Sequence, residues 1–254
     1  PSGFLALCSA NLPEPAIGPN STEQSDDYFN AVLWSGNSTN NRSITTGHAT
    51  DWIWIKKRGT TVQSHVIADS VRGTSDSSGT GNVGILATNS TAVESTNSSD
   101  SGIASFDSTG FTIGAGSNTA NADAPYQGTN ASGHTYVGWS WKAGGTAVSN
   151  TDGSITSSVS AATDAGFSIV SWTGTGANAT IGHGLSSAPE MIIVKNRDTS
   201  GNWHVYHKDI TDAPTHVMYL NLTNANTDQP RFNDTTPTST VFSVYHYSLS
   251  NTFM

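Results

Sequence analysis

The amino-acid sequence predicts an all-β protein built from two tandem β-sandwich repeats, jelly-roll-like in arrangement and with little helix. One pattern occurs twice: Trp34 and Gly36 recur as Trp172 and Gly174, and in each copy a Gly-His pair and a four-residue apolar run follow. Short runs rich in β-branched and aromatic residues, separated by turns of Gly, Asn and Ser, indicate strands. Helical periodicity is almost absent, which favours sandwiches over mixed folds.

The first repeat opens with a predicted strand at 29–34 and a turn at 35–43. The run Trp52-Ile53-Trp54-Ile55 is apolar at every position, so it predicts a central strand covered on both faces. At 135–142, strict alternation predicts a strand with Trp139 and Trp141 on one face. Further strands or hairpins are expected at 63–71, 83–86 and 106–113, and long loops fill the rest of 73–102 and 114–134.

The second repeat follows the same order with shorter loops, and its residues 252–254 correspond to 136–138. A short buried strand is expected within 1–12, and a connecting strand near 155–159. The predicted organisation has four parts: the end of a preceding domain plus a linker at 1–27, the first repeat at 28–146, a linker at 147–165, and the second repeat at 166–254, which lacks its last strand.

Charge, hydropathy and cysteine content exclude several classes of partner and of covalent link. The net charge is −9 with only ten Lys and Arg, whereas nucleic-acid binding needs clustered basic residues, so no nucleic-acid partner is expected. The longest apolar runs are too short to span a bilayer, so no membrane insertion is expected. Cys8 is the single cysteine, which excludes an intrachain disulfide and suits folding in a reducing cytoplasm.

Eight histidines raise the question of a metal site. His204 and His207 form the closest pair, but residues three apart on a strand face opposite sides and do not converge. His48 and His183 occupy equivalent places after glycine, where hydrogen bonds to loop backbone are the expected role. The sequence therefore predicts no metal and no cofactor.

An enzyme is not expected either. Glycoside hydrolysis requires two facing carboxylates, and a duplicated hydrolase would share its acid between repeats. Asp27 and Asp164 precede equivalent strands and are expected to be turn or cap residues. The four glutamates do not recur between the repeats: Glu14, Glu23, Glu94 and Glu190.

Sugar binding is a further possibility, because lectin-like sites stack a sugar on an exposed aromatic ring beside polar groups. The alternative for each such ring is a place in the core, and the sequence leaves both open. The candidate aromatic residues are Tyr126, Trp139, Trp141, Trp203 and Tyr245.

Several motifs resemble a family of uncharacterised domains in tail-fibre and other virion structural proteins of tailed phages, including phages of cyanobacteria. The motifs are GFLALCSANLP at 3–13, WKAGG at 141–145, NTDGSIT at 150–156, GFSIVSWTGTG at 166–176, GHGL at 182–185 and IIVKNRD at 192–198. The first of them resembles the last strand of a SPRY-like (concanavalin-like) sandwich, which suggests an excerpt of a longer chain.

The resemblance implies a non-enzymatic structural segment of a tail fibre or related virion appendage, which spaces or presents a host receptor-binding region. It further implies folding in the host cytoplasm, a homo-oligomer with a trimer favoured, and other virion proteins as partners. Two alternatives remain open: a carbohydrate-binding module that contacts host-surface glycans, and a capsid decoration or neck protein.

Overall fold

The computed structural model describes residues 24–59, 63–73, 84–95, 102–115 and 128–246, together with the backbone of 252–253. These residues form antiparallel β-sheets, and their helical content is one 3-10 turn at Ser25–Asp27. The all-β prediction is confirmed. The predicted strand within 1–12 lies outside the described residues.

The strands up to residue 141 are β1 (Phe29–Ser35), β2 (Arg42–Thr45), β3 (Trp52–Arg58), β4 (His65–Asp69), β5 (Leu86–Ala87), β6 (Ile103–Asp107), β7 (Gly110–Ile113) and β8 (Thr135–Trp141). The later strands are β9 (Val148–Asn150), β10 (Ser157–Ala162), β11 (Phe167–Trp172), β12 (Ala179–Gly182), β13 (Met191–Asn196), β14 (His204–His207), β15 (His216–Tyr219), β16 (Thr227–Asp228), β17 (Val241–Val244) and β18 (Thr252–Phe253).

Each repeat is a large sheet stacked on a small one. In the first repeat the five-stranded sheet β1-β8-β3-β4-β5 packs on β2-β7-β6. In the second the eight-stranded sheet β16-β15-β14-β13-β18-β11-β10-β9 packs on β12-β17. We call the two larger sheets the first and second large sheets. The two-layer arrangement is what strands with one strongly apolar face require.

Strand register repeats along with strand order. Tyr136 of β8 pairs with Trp34 of β1 and with Lys57 of β3. Thr252 of β18 pairs with Trp172 of β11 and with Asn196 of β13. β18 therefore enters the second large sheet between its neighbours as β8 enters the first, at the register that the sequence repeat predicts.

A third apolar cluster joins the two large sheets, so the molecule has four layers and three cores. On β3, Ile53 and Ile55 face the small sheet of their own repeat, while Trp52 and Trp54 face the second repeat. The prediction that this strand is covered on both faces is confirmed. The buried members of the middle cluster are Trp52, Ile67, Leu86, Ala143, Ile169 and Trp203.

The face of β8 that enters its own sandwich core carries small or polar residues. Tyr136, Gly138 and Ser140 are buried there, whereas Trp139 and Trp141 lie half-buried on the other face. A side chain at position 138 would meet the Trp34 ring, because a Cβ atom there would lie 3.0 Å from Trp34 Cζ3. The indoles of Trp139 and Trp141 therefore point away from the core of the first sandwich and toward the second repeat.

Residues 147–165, predicted as a linker, belong to the second large sheet. Ser157–Ala162 pairs along the whole length of β11, and Val148–Asn150 pairs with β10 in turn. Val159 is buried in the second core. The segment pairs because β11 would otherwise present an unpaired apolar edge to solvent.

Candidate functional site

An open cleft of about 660 Å³ lies between the two large sheets, and its mainly apolar walls include five aromatic side chains. We call it the aromatic cleft. Residues 187–191 and Leu185 supply a third side. The two facing walls consist of Trp52, Trp54, Ile67 and Trp141 from the first repeat and Phe167, Ile193, Trp203 and Leu220 from the second.

The aromatic rings in the cleft hold one another in place. Trp141 meets Trp52 edge-on at a centroid distance of 4.5 Å and stacks on Phe167 at 6.1 Å. Trp54 contacts Trp52 at 5.9 Å and Trp139 at 6.2 Å. Trp52, Trp54 and Trp141 each touch at least two other rings, so this wall of the cleft is held in place by its own contacts.

Few polar side chains line the cleft. Trp203 Nε1 donates to the carbonyl of Ala87 at 3.0 Å, which fixes that ring across the junction. Trp54 Nε1 and Ser168 Oγ are buried without a hydrogen-bond partner among the described residues. Glu190 is the one charged side chain among the lining residues.

Beside the middle cluster, Arg72, Glu94 and Arg197 form an ion-pair chain that we call the inter-repeat clasp. Glu94 accepts from Arg72 Nη1 at 2.6 Å and pairs with Arg197 Nη2 at 2.6 Å. Arg72 also pairs with Asp69, and the side chains of both are fully buried. Burial alone would lower the pKa of Arg72, but Asp69 and Glu94 raise it above its ordinary value. Arg72 therefore keeps its charge inside the fold.

Lys195, next to the clasp, is completely buried. Its ammonium donates to the carbonyls of Asn196 at 2.8 Å and Thr91 at 3.3 Å. Burial lowers the pKa of Lys195 to about 8. The side chain ties the second repeat to residue 91 of the first, and it is closed off from solvent.

His48 and His183 are hydrogen-bonded to loop backbone, as the sequence predicts. His48 Nδ1 lies 3.1 Å from the Asp26 carbonyl, and His183 Nε2 lies 3.1 Å from the Thr238 carbonyl. His183 Nδ1 accepts from the Leu185 amide, so its Nε2 carries the proton. Burial lowers the pKa of both histidines, which favours their neutral forms.

Sequence reasoning missed the partner of the other His48 nitrogen. His48 Nε2 lies 2.8 Å from Ser140 Oγ, and Thr50 Oγ1 lies 3.1 Å from the same oxygen. A serine beside a histidine is the core of many nucleophilic sites, but here Ser140 is 0 % and His48 5 % exposed. The pair is a closed structural network that no substrate can reach.

His204 and His207 do not converge. The His204 ring packs on Tyr219 at 5.5 Å inside the second sandwich, while His207 Nδ1 accepts from the Asp209 amide. Burial, followed by Arg231 and Lys195, lowers the pKa of His204 to about 4. Within the described ranges no three His, Cys, Asp or Glu side chains gather in a way that could hold a metal ion.

The carboxylates predicted as turn or cap residues have those roles. Asp27 accepts from the Gln24 amide at 2.7 Å and closes the 3-10 turn, and Asp164 lies in the turn before β11. Glu190 is exposed and 3.7 Å from Lys208 Nζ. Glu14 and Glu23 lie outside the described residues.

Of the five aromatic candidates, Trp141 and Trp203 line the cleft. Trp139 lies beside Trp54 but does not line the cleft, and Tyr245 packs on His246 at 4.3 Å. Tyr126 lies outside the described residues. The sequence does not single out Trp52, Trp54 and Phe167 as binding residues, because it predicts core positions for their strands.

One signal could have identified these residues. Trp52 and Trp54 on β3 stand where the second copy has Met191 and Ile193. Indoles at alternate positions, on the face that does not enter the strand's own sandwich, mark a second aromatic surface.

Comparison with known protein families shows which family the chain belongs to. The family model described as a domain of unknown function, DUF7483, matches residues 24–253, which include both repeats and the junction between them. No curated protein and no solved structure matches the chain. Across the part of the chain that the structure describes, no helix is long and apolar enough to cross a membrane.

Proposed function

We propose that this chain, which belongs to the DUF7483 family, is a non-enzymatic structural segment of a virion appendage such as a phage tail fibre. The two repeats act as one stiff unit that holds a host receptor-binding region at a fixed distance from the particle. The virion context rests on the resemblance of the sequence motifs. The observation that carries the structural role is the inter-repeat clasp beside the middle apolar cluster.

Stiffness follows from how the repeats are joined. Domains linked by small polar interfaces move freely, whereas an extensive apolar interface holds them together. Here residues 84–95 of the first repeat bond to the second at several points. The Glu94 amide donates to the Arg197 carbonyl at 2.9 Å, and the Gly201 amide donates to the Thr91 carbonyl at 2.9 Å. These backbone bonds fix the angle between the sandwiches.

The described side chains with reactive potential serve the fold. Ser140 and His48 are enclosed, Lys195 is buried against carbonyls, and Glu94 neutralises two arginines. A catalytic group must touch its substrate, and these groups cannot do so without unfolding their surroundings. Their placement supports a structural role over an enzymatic one.

As part of the proposal, the segment assembles as a homotrimer together with other virion proteins, which is the arrangement that the resemblance implies. Leu33 on β1 and Val148 on β9 are 66 % and 65 % exposed and are available for contacts between copies. Light scattering coupled to size exclusion on the intact parent protein measures this directly, and a strict monomer would contradict the trimer.

Immunogold electron microscopy tests the proposed function. Antibodies raised against purified residues 1–254 are expected to label an appendage on virions of a phage that encodes the chain. The control is the same serum depleted on immobilised protein. Gold at the capsid or neck would assign the segment to a decoration or neck protein, and virions without label would refute a virion role.

A further inference from the structure

The aromatic cleft lies over a gap in the second large sheet. β18 runs antiparallel to both β11 and β13 and joins them through its residues 252 and 253. Beyond that point, among the strands that the structure describes, β11 pairs only with β10 and β13 only with β14. We call the space between residues 167–170 and 191–194 the strand gap. Its edges contribute to the lining of the cleft through Phe167, Ser168, Met191 and Ile193.

The first large sheet shows what fills the equivalent space. There all seven residues of β8 (135–141) pair with β1 on one side and with β3 on the other. β11 and β13 correspond to β1 and β3, and β18 enters between them at the register of 136–137. The strand gap therefore starts at the counterpart of Gly138 and is four strand residues long, about 13 Å.

The backbone at the edges of the strand gap is positioned to pair with a strand. The Lys208 amide donates to the Glu190 carbonyl at 2.9 Å, so the even-numbered residues of β13 bond to β14. Successive residues of a strand bond to opposite sides, so Met191 and Ile193 direct their N–H and C=O groups into the gap. Backbone groups inside a sheet are nearly always paired. A ligand without regularly spaced amide donors and acceptors would leave these groups unsatisfied.

The side chains around the strand gap favour a strand with apolar residues at alternate positions. On β8, Trp139 and Trp141 point toward the other repeat, whereas Ser140 between them is buried in the sandwich core. A strand in the gap directs its side chains in the same alternation. Those that point toward the first repeat meet the wall that contains Trp52 and Trp54. Because that wall is apolar, it suits aromatic or aliphatic side chains.

We propose that the aromatic cleft holds a β-strand, formed by the polypeptide that follows β18 and lying antiparallel to β11 and β13. Four residues after Phe253 complete the second large sheet as residues 138–141 complete the first. β18 already enters the gap with the required direction and register, and a strand joined to it has a high local concentration there. Both points favour the continuation of β18 over a strand from another molecule. This inference goes beyond the proposed structural role and does not rest on it.

The first test compares the intact parent protein with residues 1–254 by hydrogen exchange and mass spectrometry. Pairing of the strand gap should slow exchange in the segment 191–194 of the parent protein by roughly tenfold or more. The segment 204–207, which is paired on both sides in either protein, is the internal reference. Equal exchange of 191–194 in the two proteins would overturn the proposal.

The second test supplies a strand of known sequence. A copy of residues 139–145 is appended after Met254, which continues the correspondence of 252–254 with 136–138. In residues 1–254 the amides of Met191 and Ile193 should exchange rapidly in NMR experiments, and those of Ile192 and Val194, which bond to β14, should be protected. The extension should slow Met191 and Ile193 by roughly tenfold or more, and by a larger factor than Ile192 and Val194. Equal factors for all four amides would overturn the proposal.

Two further extensions serve as controls. In one, proline replaces the copied serine, and because proline cannot donate to a ladder, exchange and melting temperature should remain those of residues 1–254. In the other, valine replaces both copied tryptophans, which covers the case in which indoles are too large for the gap. If neither the exact copy nor the valine extension protected Met191 and Ile193, the strand gap would not take a strand.

The free heptapeptide with the sequence of residues 139–145 distinguishes the source of the strand. At about 0.1 mM it should give no protection, because this is below the millimolar effective concentration of a tethered segment. Protection by the free peptide as strong as that by the extension would assign the strand gap to a strand from another molecule. That result would overturn the continuation of β18.

Discussion

Removing the charge of Glu94 is expected to destabilise the whole protein. In Glu94→Gln, Arg72 keeps its pair with Asp69 but loses the one with Glu94, and Arg197 loses its carboxylate partner. Breaking a buried ion pair by removing one partner costs about 3–5 kcal/mol. Arg72 retains its pair with Asp69 and the Arg197 side chain is 22 % exposed, so the lower end, about 3 kcal/mol, is expected.

Thermal unfolding followed by calorimetry measures this loss. For a chain of this size, about 3 kcal/mol corresponds to a fall in melting temperature of roughly 6–12 °C. Because the clasp joins the repeats, the parent protein is expected to unfold in one transition and the variant to broaden or split it.

The matched control is Glu190→Gln, which removes an exposed carboxylate whose ion pair with Lys208 is 3.7 Å long. Exposed pairs of this kind contribute little to stability. If Glu94→Gln and Glu190→Gln shifted the melting temperature equally, the clasp would not hold the repeats together.

Three further predictions concern buried groups. Burial lowers the pKa of Lys195 from 10.5 to about 8, so the charged side chain reduces the free energy of unfolding by its full amount below pH 8. This loss disappears as the pH rises toward 10.5. The urea midpoint should rise across that window in the parent and not in Lys195→Met, and equal slopes would contradict this. The pKa of His204 is lowered to about 4, so the free energy of unfolding should fall as the pH drops from 6.5 to 4. Urea unfolding should show a less steep fall in His204→Phe. The same pH dependence in parent and variant would contradict this prediction. Ser140→Ala leaves His48 Nε2 and Thr50 Oγ1 without that partner and should cost about 1–3 kcal/mol in urea unfolding, and a neutral effect would contradict the enclosed network.

Strands and their buried faces could be predicted from sequence because they depend on local alternation. The apolar run at 52–55 predicts a strand covered twice, and the structure covers it with the small sheet on one side and the second repeat on the other. The correspondence of 252–254 with 136–138 needed only the repeat. Short-range patterns therefore predict the fold class, and the sequence repeat predicts the register.

The candidate site could not be predicted in the same way, because it depends on how two sandwiches meet. Trp54 and Phe167 line one cleft although they belong to different repeats. Glu94 lies in a stretch without periodicity, and its role depends on Arg197 across the junction. Ser140 and His48 are likewise far apart in sequence. No local sequence pattern predicts such long-range contacts.

The position of β18 has a consequence for synthesis on the ribosome. β11 and β13 are joined through a strand at 252–253, so the second large sheet stays open until that strand has left the exit tunnel. The first large sheet can close once β8, at 135–141, has emerged. Closure of such distant pairs is slow. In a nascent chain the first sandwich can thus be complete while the second large sheet is still open, and translation continues for more than a hundred codons beyond β8 before β18 can join β11 to β13.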